Sequence, residues 1–172
     1  WVARERSRRP LRDALDAVLG TGSVAGWGGS PSMDRYFDAL RCRWCHGKPL
    51  PCGSGGRCVS EAQAEQVFAE GDWEYGALFS DPEYSTLAVG TFLYELYLDM
   101  NATAHGRAPR RLALRLGHDT TVAPVLGALG APAGFWVPYA THVELEVWTV
   151  PGGAAGSAAV RAFFDGEPLE LC

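Results

Sequence analysis

An α/β fold is predicted by two changes in hydrophobic period along the chain and by one abrupt junction between them. Residues 6–19, 60–73 and 84–100 space their apolar side chains at helical intervals. Residues 142–150 alternate instead, with Val143, Leu145 and Val147 set against Glu144, Glu146 and Trp148. Between them lies the short run 111–116, Arg-Leu-Ala-Leu-Arg-Leu, closed by Gly117 and followed at once by a helix-like stretch. Helices first, then strand, helix, strand and strand predict an α/β sheet with a helical cap, only part of which this chain contains.

The elements follow in order. In residues 6–19, Leu11, Ala14, Leu15, Val18 and Leu19 share one face, Pro10 falls where a first-turn proline is tolerated, and Gly20 is a natural stop. Residues 21–32 are rich in Gly and Ser and predict a loop. Residues 34–43 predict a short helix with Tyr36, Phe37 and Leu40 on one side. Ser60 and Gln63 form a capping-box pattern that opens a helix running to Trp73. Residues 84–100 predict the next helix, and 101–110 a polar loop. The run 111–116 predicts a strand and 120–129 a helix broken early by Pro124. Residues 142–150 and 160–164 predict two strands joined as an antiparallel hairpin across the flexible 151–157 turn. The division drawn from this pattern is a cap over 1–110, with a cysteine-rich loop at 42–58, and a core portion over 111–172.

Composition narrows the function classes. The chain has 172 residues, 47% hydrophobic and 20% charged, enough apolar content to bury a core and too much for wholesale disorder. A formal net charge of -5 argues against nucleic-acid binding. The basic stretches at residues 4–9 and 107–115 predict solvated surface and a strand flank. No run approaches the ~18 apolar residues of a membrane span. The first residue is Trp1 and no leader pattern follows, so the expectation is a part of a longer polypeptide.

Cys42, Cys45, Cys52 and Cys58 crowd a Pro/Gly-rich stretch, and Cys172 is the fifth cysteine. An odd count leaves one thiol unpaired or bonded elsewhere. With the sequon Asn101-Ala102-Thr103, these residues point to an oxidising secretory compartment. Cys42, Cys45, His46, Cys52 and Cys58 would also supply enough ligands for tetrahedral zinc, although the later intervals do not form paired knuckles. Met33, Met100, Trp73, Tyr94 and Tyr97 read as packing residues. His142, at the start of a strand, reads as a packing or hydrogen-bonding residue.

The junction Leu116-Gly117-His118-Asp119-Thr120-Thr121 carries the chemistry. Ligands of open α/β sheets bind beyond the carboxyl ends of strands. Here a strand would end at a glycine turn, His118 and Asp119 would stand at the turn, and Thr120 and Thr121 would open a helix whose N–H groups attract an anion. A histidine can donate to a phosphate oxygen, and a neighbouring carboxyl can protonate a leaving alkoxide. The residue types alone equally describe an Asp that caps a helix.

The segment Gly117-His118-Asp119-Thr120-Thr121-Val122-Ala123-Pro124-Val125-Leu126-Gly127-Ala128-Leu129-Gly130 resembles the second signature of the histidine acid phosphatases. Residues 135–148 resemble the strand that follows it in that family, and 160–166 with Cys172 its final strand and terminal cysteine. The cysteine pattern of residues 42–59 is similar to the 2-phosphoxylose phosphatase branch. The resemblance covers residues 40–172, in order. It implies the C-terminal part of a phosphoglycerate-mutase-like three-layer fold, incomplete here. It also implies phosphomonoester hydrolysis through a phosphohistidine, with Asp119 as proton donor and His118 binding phosphate. The cysteines are implied to form disulfides, with no pairing assigned, and no metal or organic cofactor is implied.

The family's nucleophile motif, Arg-His-Gly-x-Arg-x-Pro, is absent from this chain. Ala104-His105-Gly106-Arg107-Ala108-Pro109 and Cys45-His46-Gly47-Lys48-Pro49 imitate it, without the leading Arg or the spacing. The first is expected to be an exposed loop and the second part of the cysteine-rich loop. The chain alone is therefore expected to be inactive, its partners being a phosphomonoester, with a phosphorylated sugar or glycan as the suggested class, and the missing N-terminal half of the same fold. The alternative expectation is a non-catalytic truncated module that acts by association, and a third is a zinc-stabilised interaction domain. Localisation is expected in the secretory pathway: Golgi, lysosomal or extracellular.

Overall fold

A computed structural model describes residues 1–20, 32–107, 111–154 and 157–171. These comprise five helices followed by a small three-stranded sheet, a mixture of helix and sheet compatible with the α/β class. The chain divides into two units, Trp1–Glu74 and Tyr75–Cys172, with the boundary inside a helix.

The first unit opens with α1, Val2–Leu19, which starts four residues earlier than its apolar pattern. Pro10 sits inside this helix, not in its first turn, while Gly20 ends it in the left-handed conformation at φ 67°. Helix α2 is Asp34–Cys45, and Tyr36, Phe37 and Leu40 are its buried face, as the spacing predicts. Helix α3, Glu61–Phe79, runs one and a half turns past Trp73. Its capping box forms in both directions: the Gln63 amide donates to Ser60 Oγ at 3.2 Å, and the Ser60 amide to Gln63 Oε1 at 3.0 Å. Leu15, Met33, Tyr36, Leu40, Ala64 and Val67 are fully buried together with these faces.

Polar contacts are embedded in that core. Arg8 is only 4% exposed and pairs with the buried carboxylate of Glu74. Glu74 also accepts from the Met33 amide at 3.1 Å and the Ser32 hydroxyl at 3.0 Å. Arg4 grips Glu70 through two nitrogens, at 2.8 and 3.1 Å, and lies 4.4 Å over the Trp73 ring. Burial holds the Glu74 carboxyl above the ordinary glutamate range, opposed in turn by the Met33 amide, the Arg8 charge, and the Ser32 and Arg8 hydrogen bonds.

In the second unit, α4 spans Pro82–Ala104, two residues earlier and four later than its pattern. Asp81 caps it through Oδ1, which accepts from the Glu83 amide at 2.9 Å and the Tyr84 amide at 3.2 Å. Pro82 occupies the first turn, where its missing N–H costs nothing. Helix α5, Asp119–Ala128, packs on α4 with Ala123, Pro124, Val125, Leu126 and Gly127 buried. Pro124 does not break it; a proline in the second turn forfeits one backbone bond and is held by its burial. Gly127 sets the helix spacing. A Cβ there would stand 2.1 Å from the Phe79 carbonyl oxygen and 2.4 Å from Ser85 Oγ, and that hydroxyl donates to Phe79 O at 3.0 Å.

Strands β1, Val143–Thr149, and β2, Ala158–Phe164, form the expected antiparallel hairpin, in register from Val143↔Phe164 to Thr149↔Ala158. A two-residue strand β3, Glu167–Pro168, which the pattern does not anticipate, adds to β2 after the Asp165-Gly166 turn. Both turn residues have positive φ, 49° and 86°. Asp165 helps hold that turn. Its carboxylate accepts from the Thr141 hydroxyl at 2.5 Å and the His142 amide at 2.9 Å, and the His142 ring lies 3.2 Å away. The Thr141 hydrogen bond is the main reason its carboxyl lies below the ordinary range. His142 is thus a hydrogen-bonding residue at the strand's entry.

The predicted strand at 111–116 does not form. Residues 112–118 belong to no helix and no described ladder, and Leu112, Leu114 and Leu116 are 82, 79 and 91% exposed. A strand exists only through a partner's N–H and C=O groups, and no described residue supplies one.

Two outcomes follow from this packing. Arg8→Ala should destabilise the first unit by about 3–5 kcal/mol, because it leaves a buried carboxylate unpaired. Glu74's raised folded-state proton affinity means that the folded unit binds that proton more tightly than the unfolded chain. Its contribution is complete below the unfolded glutamate value and fades as pH rises through the folded value. Urea titrations across acidic pH should show that decline, and Glu74→Gln should flatten it. Gly127→Ala should cost the second unit about 1–3 kcal/mol by overpacking, read as a lower denaturation midpoint.

Candidate active site

The residues singled out by the sequence meet at the start of α5. His118 is the N-cap, extended at φ -101° and ψ 170°, and its carbonyl accepts from the Thr121 amide at 2.9 Å and the Val122 amide at 3.0 Å. Its ring is exposed and makes no capping bond. Gly117 packs closely just before it: a Cβ there would meet three atoms of the Thr121 side chain at 3.1 to 3.3 Å. The chain thus turns into the helix against Thr121 itself.

Asp119 is the first helical residue and is partly buried. Placing an acid in the first turn suits the positive end of the helix dipole. Oδ1 accepts from the Thr120 amide at 2.7 Å, and Oδ2 accepts from the indole Nε1–H of Trp136 at 2.5 Å. Trp136 is 6% exposed and stacks on Tyr75, with ring centroids 4.0 Å apart and planes 19° from parallel. Residue spacing around Asp119 does not reveal this partner. The available signal is a general one: a buried tryptophan needs an acceptor for its N–H.

The structure therefore brings His118, Asp119, Thr120 and Thr121 together at one helix start, as the motif predicts, but without the strand expected to deliver them. The recess found in the first unit is lined by Arg6, Arg9, Arg12 and Arg35 with Glu5, Asp13, Asp16 and Tyr36, and includes none of the predicted site residues. Its charges are mixed: Arg12 pairs with Glu5, and the Tyr36 hydroxyl donates to Asp16 at 2.6 Å.

Both imitations of the nucleophile motif are helix ends. His105 is the C-cap of α4, its ring Nδ1 lies 2.8 Å from the Asn101 carbonyl oxygen, and Gly106 follows at φ 66°. His46 is the C-cap of α2, with Gly47 at φ 59°. A histidine followed by a left-handed glycine is here a way of stopping a helix. Ala108 and Pro109 lie outside the described residues.

In the cysteine-rich loop, Cys52 and Cys58 form a disulfide. The Gly53 amide donates to the Arg57 carbonyl at 2.8 Å and the Val59 amide to that of Pro51 at 2.9 Å, closing the loop around the bridge. Cys42 and Cys45 are exposed on the last turn of α2, and Cys172 lies outside the described residues. Among the described residues, no three His, Cys, Asp or Glu side chains are grouped as ligands of one metal ion would be. Nor is any described helix long and apolar enough to cross a membrane. The sequon's Asn101 is half-buried in the last turn of α4 rather than in a loop, and the Thr103 hydroxyl donates to the Asp99 carbonyl at 2.9 Å.

No family model matches the chain. Individual proteins do. Counting factor 60 of Dictyostelium discoideum is 32% identical over 139 residues, which cover 81% of this chain and 30% of that protein. 2-Phosphoxylose phosphatase 1 of Danio rerio is 28% identical over 159 residues, covering 77% of this chain and 31% of that protein. Human testicular acid phosphatase is 24% identical over 187 residues, covering 94% of this chain and 42% of that protein. The chain is a distant relative of the histidine acid phosphatases. It spans between about a third and two fifths of the length of these three relatives.

Reduction of Cys52–Cys58 should loosen the loop between α2 and α3 and leave both helices folded. Amide exchange should accelerate at Gly53, Gly56 and Val59 and change little at Val67.

Proposed function

We propose that the chain is the C-terminal part of a phosphomonoesterase that works through a phosphohistidine, with the nucleophile and most phosphate-binding arginines supplied by sequence outside it. The observation that carries this reading is the arrangement at α5: an exposed His118 and a partly buried Asp119 stand together at the first turn of the helix, the positive end of its dipole. His118 would donate to a phosphoryl oxygen. Asp119 would protonate the departing alcohol, and its carboxylate would then act as the base that activates water against the phosphohistidine. The likeness to a 2-phosphoxylose phosphatase and an acid phosphatase supports a phosphorylated substrate, and the first of these suggests a phosphorylated sugar.

On the same reading, the chain contributes part of a phosphoglycerate-mutase-like sheet, with residues 1–110 as cap and 111–172 as core. Residues 112–116 support it: three exposed leucines alternate along a segment that has no described sheet partner. A further strand from the missing half would pair with that segment and cover the leucines, which a protein would otherwise keep from water. The Cys52–Cys58 bridge and the sequon favour passage through the secretory pathway.

The deciding experiment reads the coding sequence upstream of Trp1 and assays the longer polypeptide. An in-frame Arg-His-Gly-x-Arg-x-Pro motif with hydrolysis of simple phosphomonoesters is the expected result. In that polypeptide Asp119→Asn should keep phosphate binding and lower kcat by about 10²–10⁴-fold, whereas His118→Ala should weaken phosphate binding as well. Absence of the motif would leave a non-catalytic module that acts by association, and full turnover by the Asp119→Asn variant would overturn the role of Asp119 as proton donor.

A further inference from the structure

The acid at the start of α5 is held by a residue outside the signature. We infer that Trp136 is a positioning residue for Asp119: it holds one carboxyl oxygen in place and stabilises the carboxylate once the proton has left. The inference rests on the phosphomonoesterase reading and adds to it a residue that the His-Asp motif does not contain.

Three observations carry it. The indole N–H donates to Oδ2 at 2.5 Å, seventeen residues along the chain. Trp136 itself has little freedom, being 6% exposed and stacked on Tyr75 at 4.0 Å. The loop bearing it is pressed against α3, where a Cβ on Gly76 would lie 2.5 Å from the Gly134 carbonyl oxygen. Only a glycine lets the two backbones come that close. The donor is therefore rigid, and Asp119, whose Oδ1 is engaged by the Thr120 amide at 2.7 Å, is held at both oxygens.

An indole nitrogen donates only, so Trp136 meets Oδ2 only as an acceptor, and the Thr120 amide meets Oδ1 in the same way. In the phosphoryl-transfer step the bond from phosphorus to the leaving oxygen breaks as phosphorus bonds to the histidine nucleophile. The electron pair stays on the leaving oxygen, which takes the Asp119 proton, and Asp119 becomes a carboxylate. A hydrogen bond to a carboxylate is stronger than one to a neutral acid, so the Trp136 bond strengthens as the proton leaves. Stabilisation that grows toward the transition state raises kcat rather than substrate affinity.

Two measurements test this independently. In this chain, the Trp136 indole proton resonance should shift in a single pH titration, and Asp119→Asn, which still offers an acceptor but no titrating group, should abolish that shift. A pH-independent resonance, or an unchanged titration in Asp119→Asn, would overturn the contact. In the longer polypeptide, Trp136→Phe keeps the stack on Tyr75 and removes the donor. It should lower kcat for an alkyl phosphate by about 10–100-fold, the worth of one charge-assisted hydrogen bond, with KM unchanged. With p-nitrophenyl phosphate, whose leaving group needs little protonation, the loss should be no more than about twofold. Equal losses on both substrates would reduce Trp136 to a packing residue and overturn the inference. Full activity of Asp119→Asn sinks the role of Asp119 as the acid and the role of Trp136 with it, while the indole titration still reports the contact.

Discussion

The close approach of α5 to Phe79 and Ser85 is the constraint on which the second unit depends. It exists because Gly127 has no side chain: the Phe79 carbonyl and the Ser85 hydroxyl occupy the space a Cβ would need, and they hydrogen-bond to each other there. That contact fixes where α5 lies, and with it where the helix begins. His118 and Asp119 stand at a defined place in part because the far end of their helix is locked. Burial of Val125 and Leu126 beside Gly127 supplies the apolar part of the anchor.

A second fixed point completes the geometry. The segment after α5 returns Trp136 to the helix start, where its ring lies on Tyr75 and its N–H reaches Asp119. The acid is thus oriented by packing several turns away and by one hydrogen bond nearby. Such division of labour is common in sites that must hold a group within a fraction of an ångström, since a rotamer is locked best by neighbours that are themselves locked. The first unit shows the same economy in its core, where Glu74 collects Arg8, Met33 and Ser32 around one buried carboxylate. Its burial is the dominant influence on its protonation.

How legible these features were depended on how local their causes are. Helix starts with their own chemistry could be read: the Ser60–Gln63 capping box formed reciprocally, and Gly20 ended α1 as its freedom at positive φ allows. Asp81-Pro82 is an equally local signal for the start of α4, a cap followed by a first-turn proline, and accounts for the two residues that helical periodicity alone misses. Helix ends beyond Trp73 and Met100 were less legible because Tyr75, Phe79 and Ala104 belong to no clean apolar stripe. The run 111–116 was misread for a different reason: its alternating leucines record a preference for a sheet, and preference without a partner strand makes no strand.

The sequence by itself determined what depends on near neighbours: the helix caps, the hairpin's alternating pattern, the glycine turn before His118, and the His-Asp pair at a helix start. It also carried the likeness to histidine acid phosphatases in the order of its motifs. Tertiary structure alone decided which cysteines are bridged, that Gly127 is a contact rather than a flexible joint, and that Trp136 is the partner of Asp119. Those choices depend on groups brought together by folding from different parts of the chain, and a distance in space between such groups leaves no period or spacing in the order of residues.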